Sequence, residues 1–375
     1  MPPYLTTEQL ARDLALRDLS DPAAGPHAIQ SLVGLAVDAL VAAWACPTRP
    51  SPGPRIVPIA DNYDNLGFTA GDASRDARYT RYVDAQRMLR SHSSAIVPPA
   101  LRALAADPLD DVLLVCPGIV YRRDAIDRLH TGTPHQLDLW RVSRRPLTNA
   151  DMDEMITLLV EALAPGRRWR AEPRIHPYTV DGRQVDVQDG HAWVEVWECG
   201  LAHPDVLTRA GLAGWHGLAL GLGLDRLLML HKRIPDIRLL RSADPRVTGQ
   251  MIDLAPYRAV SSMPAVVRDL SVAVDADDDV ERLGDRVRDA LGADAAAVEE
   301  VAVLSEAAYE ELPASAIARM GMQRRHKNVL IRVVLRHLDR TLTDTHANAL
   351  RDRIYTALHV GGAQELTAST RHEPC

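Results

Sequence analysis

The chain reads as an α+β protein of two domains: an antiparallel sheet with flanking helices, followed by a smaller α/β sandwich. Three observations predict this. The apolar strand Val112-Leu113-Leu114-Val115 runs into a charge-dense segment from Arg122 to Asp138, which reads as a hairpin. The alternating glycines Gly217, Gly221 and Gly223 mark a strand, and the apolar run after Arg226 continues as a helix. From Tyr257 onward the pattern is strand, helix, strand, an insert, strand, helix.

In chain order, residues 6–19 and about 27–45 place apolar side chains at helical spacing. A proline-rich connector, Pro47 to Pro54, precedes a short strand, Arg55 to Ala60. Leu89 to Ser94 (LRSHSS) predicts a turn before Pro98-Pro99, where the hydroxyls suit helix caps. An amphipathic helix spans Asn149 to Leu163, and strands follow to about Cys199. Near Ser242 to Pro256 a polar segment marks a boundary, giving domains of 1–245 and 257–375. The second domain's strand DLSVAVD, helix VERLGDRVRDALG, strand VEEVAVLSEA, strand NVLIRVVLRH and helix THANALRDRIYTALH, with a last short strand near Glu365, suit a ferredoxin-like sandwich.

The 375 residues can bury a full core, and 46% hydrophobic with 25% charged content is ordinary for a globular protein. No long apolar run is free of charge and the N-terminus lacks a signal core, so a cytoplasmic protein with no membrane association is expected. Cys46, Cys116, Cys199 and Cys375 show no CxxC spacing, which predicts reduced thiols and neither zinc site nor disulfide framework. A formal charge of -7 argues against a broadly basic nucleic-acid binder. Lys232 and Lys327 are the only lysines, so the arginine richness reflects composition and is no evidence for RNA binding.

The segment Arg122 to Asp138 packs Arg122, Arg123, Asp124, Asp127, Arg128, His130, His135 and Gln136 together. It reads as a solvated mixed-charge hairpin or as a phosphate grip, for which arginine's planar, permanently charged fork is suited. The glycine-rich stretch Gly217 to Leu230 lacks both the dinucleotide fingerprint and the Gly-Lys-Ser/Thr of a phosphate loop. Together, YRRDAIDRLH with HQLD, and GLALGLGLDRLLML, resemble motifs 2 and 3 of a class II aminoacyl-tRNA synthetase, specifically the catalytic chain of phenylalanyl-tRNA synthetase. LRSHSS, WVEVWECG (Trp193 to Gly200) and HPDVL (His203 to Leu207) stand in the family's order, and the helix, strand and Pro58 before them resemble motif 1. Ser262 to Asp269 and Arg340 to Asp344 resemble the ferredoxin-fold anticodon-binding domain, and its fusion behind the catalytic domain resembles the single-chain mitochondrial type.

The resemblance implies activation of an amino acid by ATP with Mg²⁺ and transfer to tRNA, by a monomer or homodimer needing no second synthetase subunit. It implies that Arg122 meets the α-phosphate, His130 the distal phosphates, and Arg226 adenine and the γ-phosphate. Asp124 and Glu195 would bind ribose, adenine or metal, with Glu195 on Mg²⁺. Ser94, Gln136, Asp138, His176, Tyr178, Glu198, Ala219 and Leu220 would surround the amino acid, Gln136 and Asp138 taking its ammonium. A basic cluster including Arg332, Arg336 and Arg340, with Arg268, would face tRNA.

The chain departs from the family where the pocket is built. The stretch that usually reads Phe-Pro-Phe is His176-Pro177-Tyr178, a usual glycine is Glu198, the usual Phe after Ala219 is Leu220, and Pro134 replaces an aromatic before His135-Gln136. Buried polar groups lacking partners cost roughly 1 to 3 kcal/mol each, so such a pocket is expected to take a polar or ring-substituted amino acid in place of phenylalanine or beside it, the alternative being that Glu198 points away and His176 and Tyr178 replace Phe by shape. Two alternatives stay open: a paralogue passing the activated amino acid to a non-tRNA acceptor in biosynthesis, and a non-catalytic tRNA-binding relic.

Overall fold

The computed structural model describes residues 4–77, 79–260 and 263–362. They divide into two compact units at Arg258/Ala259, with one exchange: the hairpin tip Arg123–Thr131 groups with the second unit. The division thus falls just beyond the polar segment expected to mark it.

The first unit contains α1 (Thr7–Ala15), α2 (Ala28–Trp44), β1 (Thr48–Pro50), β2 (Ile56–Pro58), α3 (Ile59–Asn62), β3 (Arg87–Leu89), α4 (Val97–Ala106), β4 (Asp111–Ile119) and β5 (His135–Ser143). It continues with α5 (Asn149–Leu163), β6 (Trp169–Pro173), β7 (Thr179–Asp189), β8 (Ala192–Ala202), α6 (Pro204–Arg209), β9 (His216–Gly223), α7 (Leu224–Lys232) and α8 (Pro245–Thr248). Helix starts follow local chemistry: Thr6 and Gln9 form a capping box on α1, and Thr148 with Asp151 forms one on α5.

The seven-stranded sheet has the order β1-β4-β5-β9-β8-β7-β6. It is antiparallel except at one edge, where β1 runs parallel to β4. The antiparallel sheet with flanking helices expected from the sequence is thus present, with one parallel pair at its edge. A long connection carrying β2, β3 and α4 lets the chain re-enter beside β1 in the same direction, and the edge tolerates Pro50, which has no N–H to donate. On one face, Val112, Leu114, Trp140, Val142, Ala202 and Ala219 pack against α4 and α6. At Gly118 a Cβ would fall 1.8 Å from the Arg90 guanidinium, so only glycine lets that buried arginine cross β4.

The second unit contains β10 (Val266–Asp275), α9 (Val280–Leu291), β11 (Val298–Ala308), α10 (Ala314–Met320), β12 (His326–Leu335) and α11 (Asp344–Leu358). This is the βαββα succession the sequence predicts. Its antiparallel sheet has the order β10-β12-β11, with Val272, Val274, Ile331 and Val333 packed under Val287, Leu291, Ile354 and Leu358 of α9 and α11. The α10 insert covers Ala273 on the reverse face through Met320 and Ile317. The Val360 N–H bonds the Ala273 carbonyl, leading the chain alongside β10. The strand expected near Glu365, Ser262 of the motif, and Cys375 lie outside the described residues.

The tip Arg123–Thr131 joins this unit for a physical reason. Ile126 is buried in its core and accepts the Val301 N–H at its carbonyl. Arg128 meets Glu299, Arg123 meets Asp285 at 3.0 Å, and Arg288 donates to the carbonyls of Asp124 and Ala125. No helix among the described residues is long and apolar enough to cross a membrane. Cys46, Cys116 and Cys199 are free and buried.

Candidate active site on one face of the seven-stranded sheet

Strand register places the candidate residues in rows. Asp138 of β5, Gly221 of β9 and Glu198 of β8 lie side by side, and Gln136 lies beside Gly223 in the next row. Side chains alternate along a strand, so Gln136, Asp138, Ala219, Gly221 and Glu198 share one face. Leu220 pairs with Leu139 and Cys199 and is buried on the reverse face. Its place in the pocket is corrected by that alternation: the residue after Ala219 cannot point the same way as Ala219.

One end of the row is built from Asp138. Its carboxylate accepts from the Ser93 hydroxyl and, at 3.3 Å, from the Trp140 indole N–H. Burial pushes its pKa up to about 6, against hydrogen bonds from Ser93, Ser94 and Trp140. None of these partners is a cation. The Ser93 N–H also bonds the Gln136 side-chain oxygen at 3.1 Å, so the turn Ser93–Ile96 locks both ammonium candidates. Ser94, singled out from the sequence, is buried and bonds both Asp138 and the Tyr178 phenol. Ser93 has an equal share, which sequence reading assigned to the turn alone.

The other end is built from Glu198. Its two oxygens face Arg174 Nε at 3.1 Å and His176 Nε2 at 2.7 Å. Burial opposes ionisation, but His176 and Arg174 outweigh it and hold the carboxyl below its ordinary range. Arg174 was missed in the sequence, where an arginine two residues before His176 carried no motif. The His176 ring stacks on Tyr178, 5.5 Å between centroids at 28°. Tyr178 is pushed upward, first by burial and then by the charges of Asp138 and Glu198. Trp140 and Phe68 complete the aromatic wall, at 6.1 and 6.2 Å from the Tyr178 ring.

Beyond the end of β4, Arg122 Nε donates to the Ser91 carbonyl at 2.7 Å. Its charge reaches His92, whose pKa falls to about 3 through burial first and Arg122 second. Arg226 lies in the first turn of α7, directly after the glycine strand. Glu195 is raised by burial and by Glu198, with Arg174 and Arg226 pulling the other way, which brings Glu195 and Arg226 into one neighbourhood. A further pair was not anticipated: Asp225 accepts the His135 backbone N–H and faces His135 Nδ1 at 3.1 Å. It ties the strand carrying Gln136 to the helix carrying Arg226. Burial disfavours its charge, yet His135 and Arg241 keep the Asp225 carboxyl low.

Asp124 and His130 are grouped with the second unit instead of with this sheet. His130 Nδ1 lies 2.6 Å from Asp127, and Asp124 accepts the Ala125 N–H. Of the arginines expected to face RNA, Arg332 pairs with Asp269 at 2.8 Å, Arg336 with Glu299, and Arg268 with Asp344 at 3.4 Å, while Arg340 is exposed. Their strip is therefore largely neutralised within the unit.

A seven-stranded sheet with arginines at its hairpin and helix ends and carboxylates on its floor defines the class of protein, and the chain belongs to the tRNA synthetases class II core domain (F) family, whose model matches residues 49–251. It is 33% identical over 212 residues to the phenylalanine--tRNA ligase alpha subunit of Leptospira biflexa, covering 53% of this chain and 61% of that protein. Similar matches are the alpha subunits of Psychrobacter arcticus, 33% identical over 202 residues, and Prochlorococcus marinus, 31% over 200, each covering 53% of this chain and 56% of the relative. The chain thus spans about three-fifths of the length of the curated relatives it matches. A solved structure of Desulfitobacterium hafniense PylSc, a pyrrolysyl tRNA synthetase, aligns with a TM-score of 0.44 and 19% identity, covering 57% of this chain and 73% of that one.

Proposed function

We propose that the chain activates an amino acid, phenylalanine or a related and more polar one, as its aminoacyl-adenylate and transfers it to tRNA. The observation that carries this reading is the buried Asp138, which has no cation among its partners in the described residues and shares Ser93 with Gln136. A carboxylate in that state is completed by a substrate ammonium.

The amino-acid carboxylate attacks the α-phosphorus of ATP, a P–O bond forms, and pyrophosphate leaves. Arg122 and Arg226 stabilise the negative charge that builds on the phosphoryl oxygens. Gln136 and Asp138 hold the ammonium, so that the attacking oxygen is presented and the ammonium does not compete. A hydroxyl of the tRNA's terminal adenosine then attacks the acyl carbon and AMP departs. Glu195 suits Mg²⁺: burial and Glu198 push its carboxyl upward, so a nearby cation is favoured. Such an ion would be held by that carboxylate together with substrate phosphates. When bound, the ion supplies positive charge to the phosphate oxygens.

The second unit, with its βαββα order, serves as a ferredoxin-fold RNA-binding domain, and its presence in the same chain supports action without a second subunit, although the relatives are named alpha subunits. The test is amino-acid-dependent exchange of pyrophosphate into ATP by the purified chain alone, followed by tRNA charging. Absence of exchange with every amino acid offered, ring-substituted ones included, would sink the reading. Exchange without charging would redirect it to a non-tRNA acceptor.

A further inference from the structure

Three polar groups converge where the family's pocket is apolar: the Tyr178 phenol, the His176 ring and the Glu198 carboxylate. Glu198 stands two strands from Asp138, roughly 10 Å across the sheet backbone. Between them lies Gly221, which has no side chain; a Cβ there would sit 3.8 Å from the Asp138 carboxylate and 4 Å or more from everything else. The floor between the two acids is therefore open, and Tyr178 with Trp140 forms a flat wall beside it.

One Glu198 oxygen accepts from Arg174 Nε and the other lies 2.7 Å from His176 Nε2 without an aligned hydrogen bond, while a carboxylate offers about four acceptor positions. Arg174 and His176 keep it ionised and aimed, so it accepts hydrogen bonds and cannot donate them. A phenyl ring pressed against this end would leave the remaining acceptor positions without partners. A ring bearing a hydroxyl or amino group would fill them.

Resting on the synthetase reading, we infer that the cognate substrate is an α-amino acid of phenylalanine's size whose ring carries a proton donor, hydroxyl or amino, at the end distant from the α-carbon. The ammonium sits at Asp138 and Gln136, and the distal donor sits at Glu198, with His176 and Tyr178 beside it. Glu198 and His176 are the specificity-determining pair. Sites built to hydrogen-bond a substrate group reject analogues lacking it far more strongly than apolar pockets reject an added group.

The test compares phenylalanine, tyrosine, 3-hydroxyphenylalanine, 4-aminophenylalanine and 4-methylphenylalanine in pyrophosphate exchange with the full chain. A donor-bearing member is expected to exceed both phenylalanine and the methyl analogue in kcat/KM by about 100-fold or more. The double variant His176→Phe, Glu198→Gly should reverse that order. Calorimetric binding of the matching aminoacyl-sulfamoyl adenosines to the unaltered chain separates the two readings. Preference for a hydroxyl or amino compound without any exchange upholds the pocket and removes the enzyme. Exchange led by phenylalanine, equal binding of donor and methyl compounds, or no binding at all overturns the inference.

Discussion

Asp138 and Glu198 occupy one row of one sheet face, two strands apart, yet they hold opposite protonation tendencies. Asp138 is buried and Glu198 half-buried, and desolvation disfavours the charge of each. Asp138 receives only hydroxyls and an indole N–H and rises to about 6; Glu198 receives Arg174 and His176 and falls below its ordinary range. Neutral donors only soften desolvation, whereas an adjacent cation overcomes it. The contrast assigns the two ends different duties: one is left to be completed by a cationic ligand, the other is already completed by the protein and presents acceptors.

The largest expected effect comes from removing the incomplete end. Asp138→Asn should lower kcat/KM for pyrophosphate exchange by about 10²- to 10³-fold, since an ammonium loses its only charged partner. Arg122→Ala should lose a similar factor through the phosphoryl oxygens, but in kcat more than in KM. A matching drop in both variants confined to KM would remove Arg122 from transition-state stabilisation.

The same Asp138→Asn change should stabilise the fold at neutral pH. Because the folded carboxyl titrates near 6 and an aspartate ordinarily titrates near 3.8, the folded chain keeps the proton longer; stability is fullest below about 4 and declines as pH rises to about 6. The ionised group then costs roughly 3 kcal/mol, part of which asparagine recovers. Thermal melts at pH 4.5 and 7.5 read this directly, and an unchanged difference between variant and parent at the two pH values would break the comparison. In the active chain, KM for the amino acid should climb several-fold as pH falls through about 6, with kcat less affected.

A smaller effect is expected at the completed end. Arg174→Ala should leave Glu198 with His176 alone, raise its pKa, and reduce discrimination between donor-bearing and plain rings by about tenfold in pyrophosphate exchange. Least of all, Arg332→Ala removes an exposed partner of Asp269, and its melting temperature should be indistinguishable from the parent's, as surface pairs contribute little.

Order and type of elements were legible in the residues themselves. The Asn149–Leu163 helix, the glycine strand running into α7, and the βαββα succession after Tyr257 rest on local periodicity and punctuation, which a chain carries without its fold. Leu220 shows a limit of motif reading: strand alternation, also local, already argued against its place in the pocket. Other features needed the packed molecule. The parallel pairing of β1 with β4, the share of Ser93 in holding Asp138, the His135–Asp225 tie and the Arg174–Glu198 pair all join residues distant in sequence. So does the passage of Arg123–Thr131 into the second unit, driven by burial of Ile126 and by its arginine pairs. The sequence by itself determined which strands and helices form and which residue types stand at their ends, because those follow from neighbours a few positions away. Only the tertiary structure decided which carboxylate keeps its charge, because desolvation and the nearness of a cation are set by strands and loops that meet after the chain has folded.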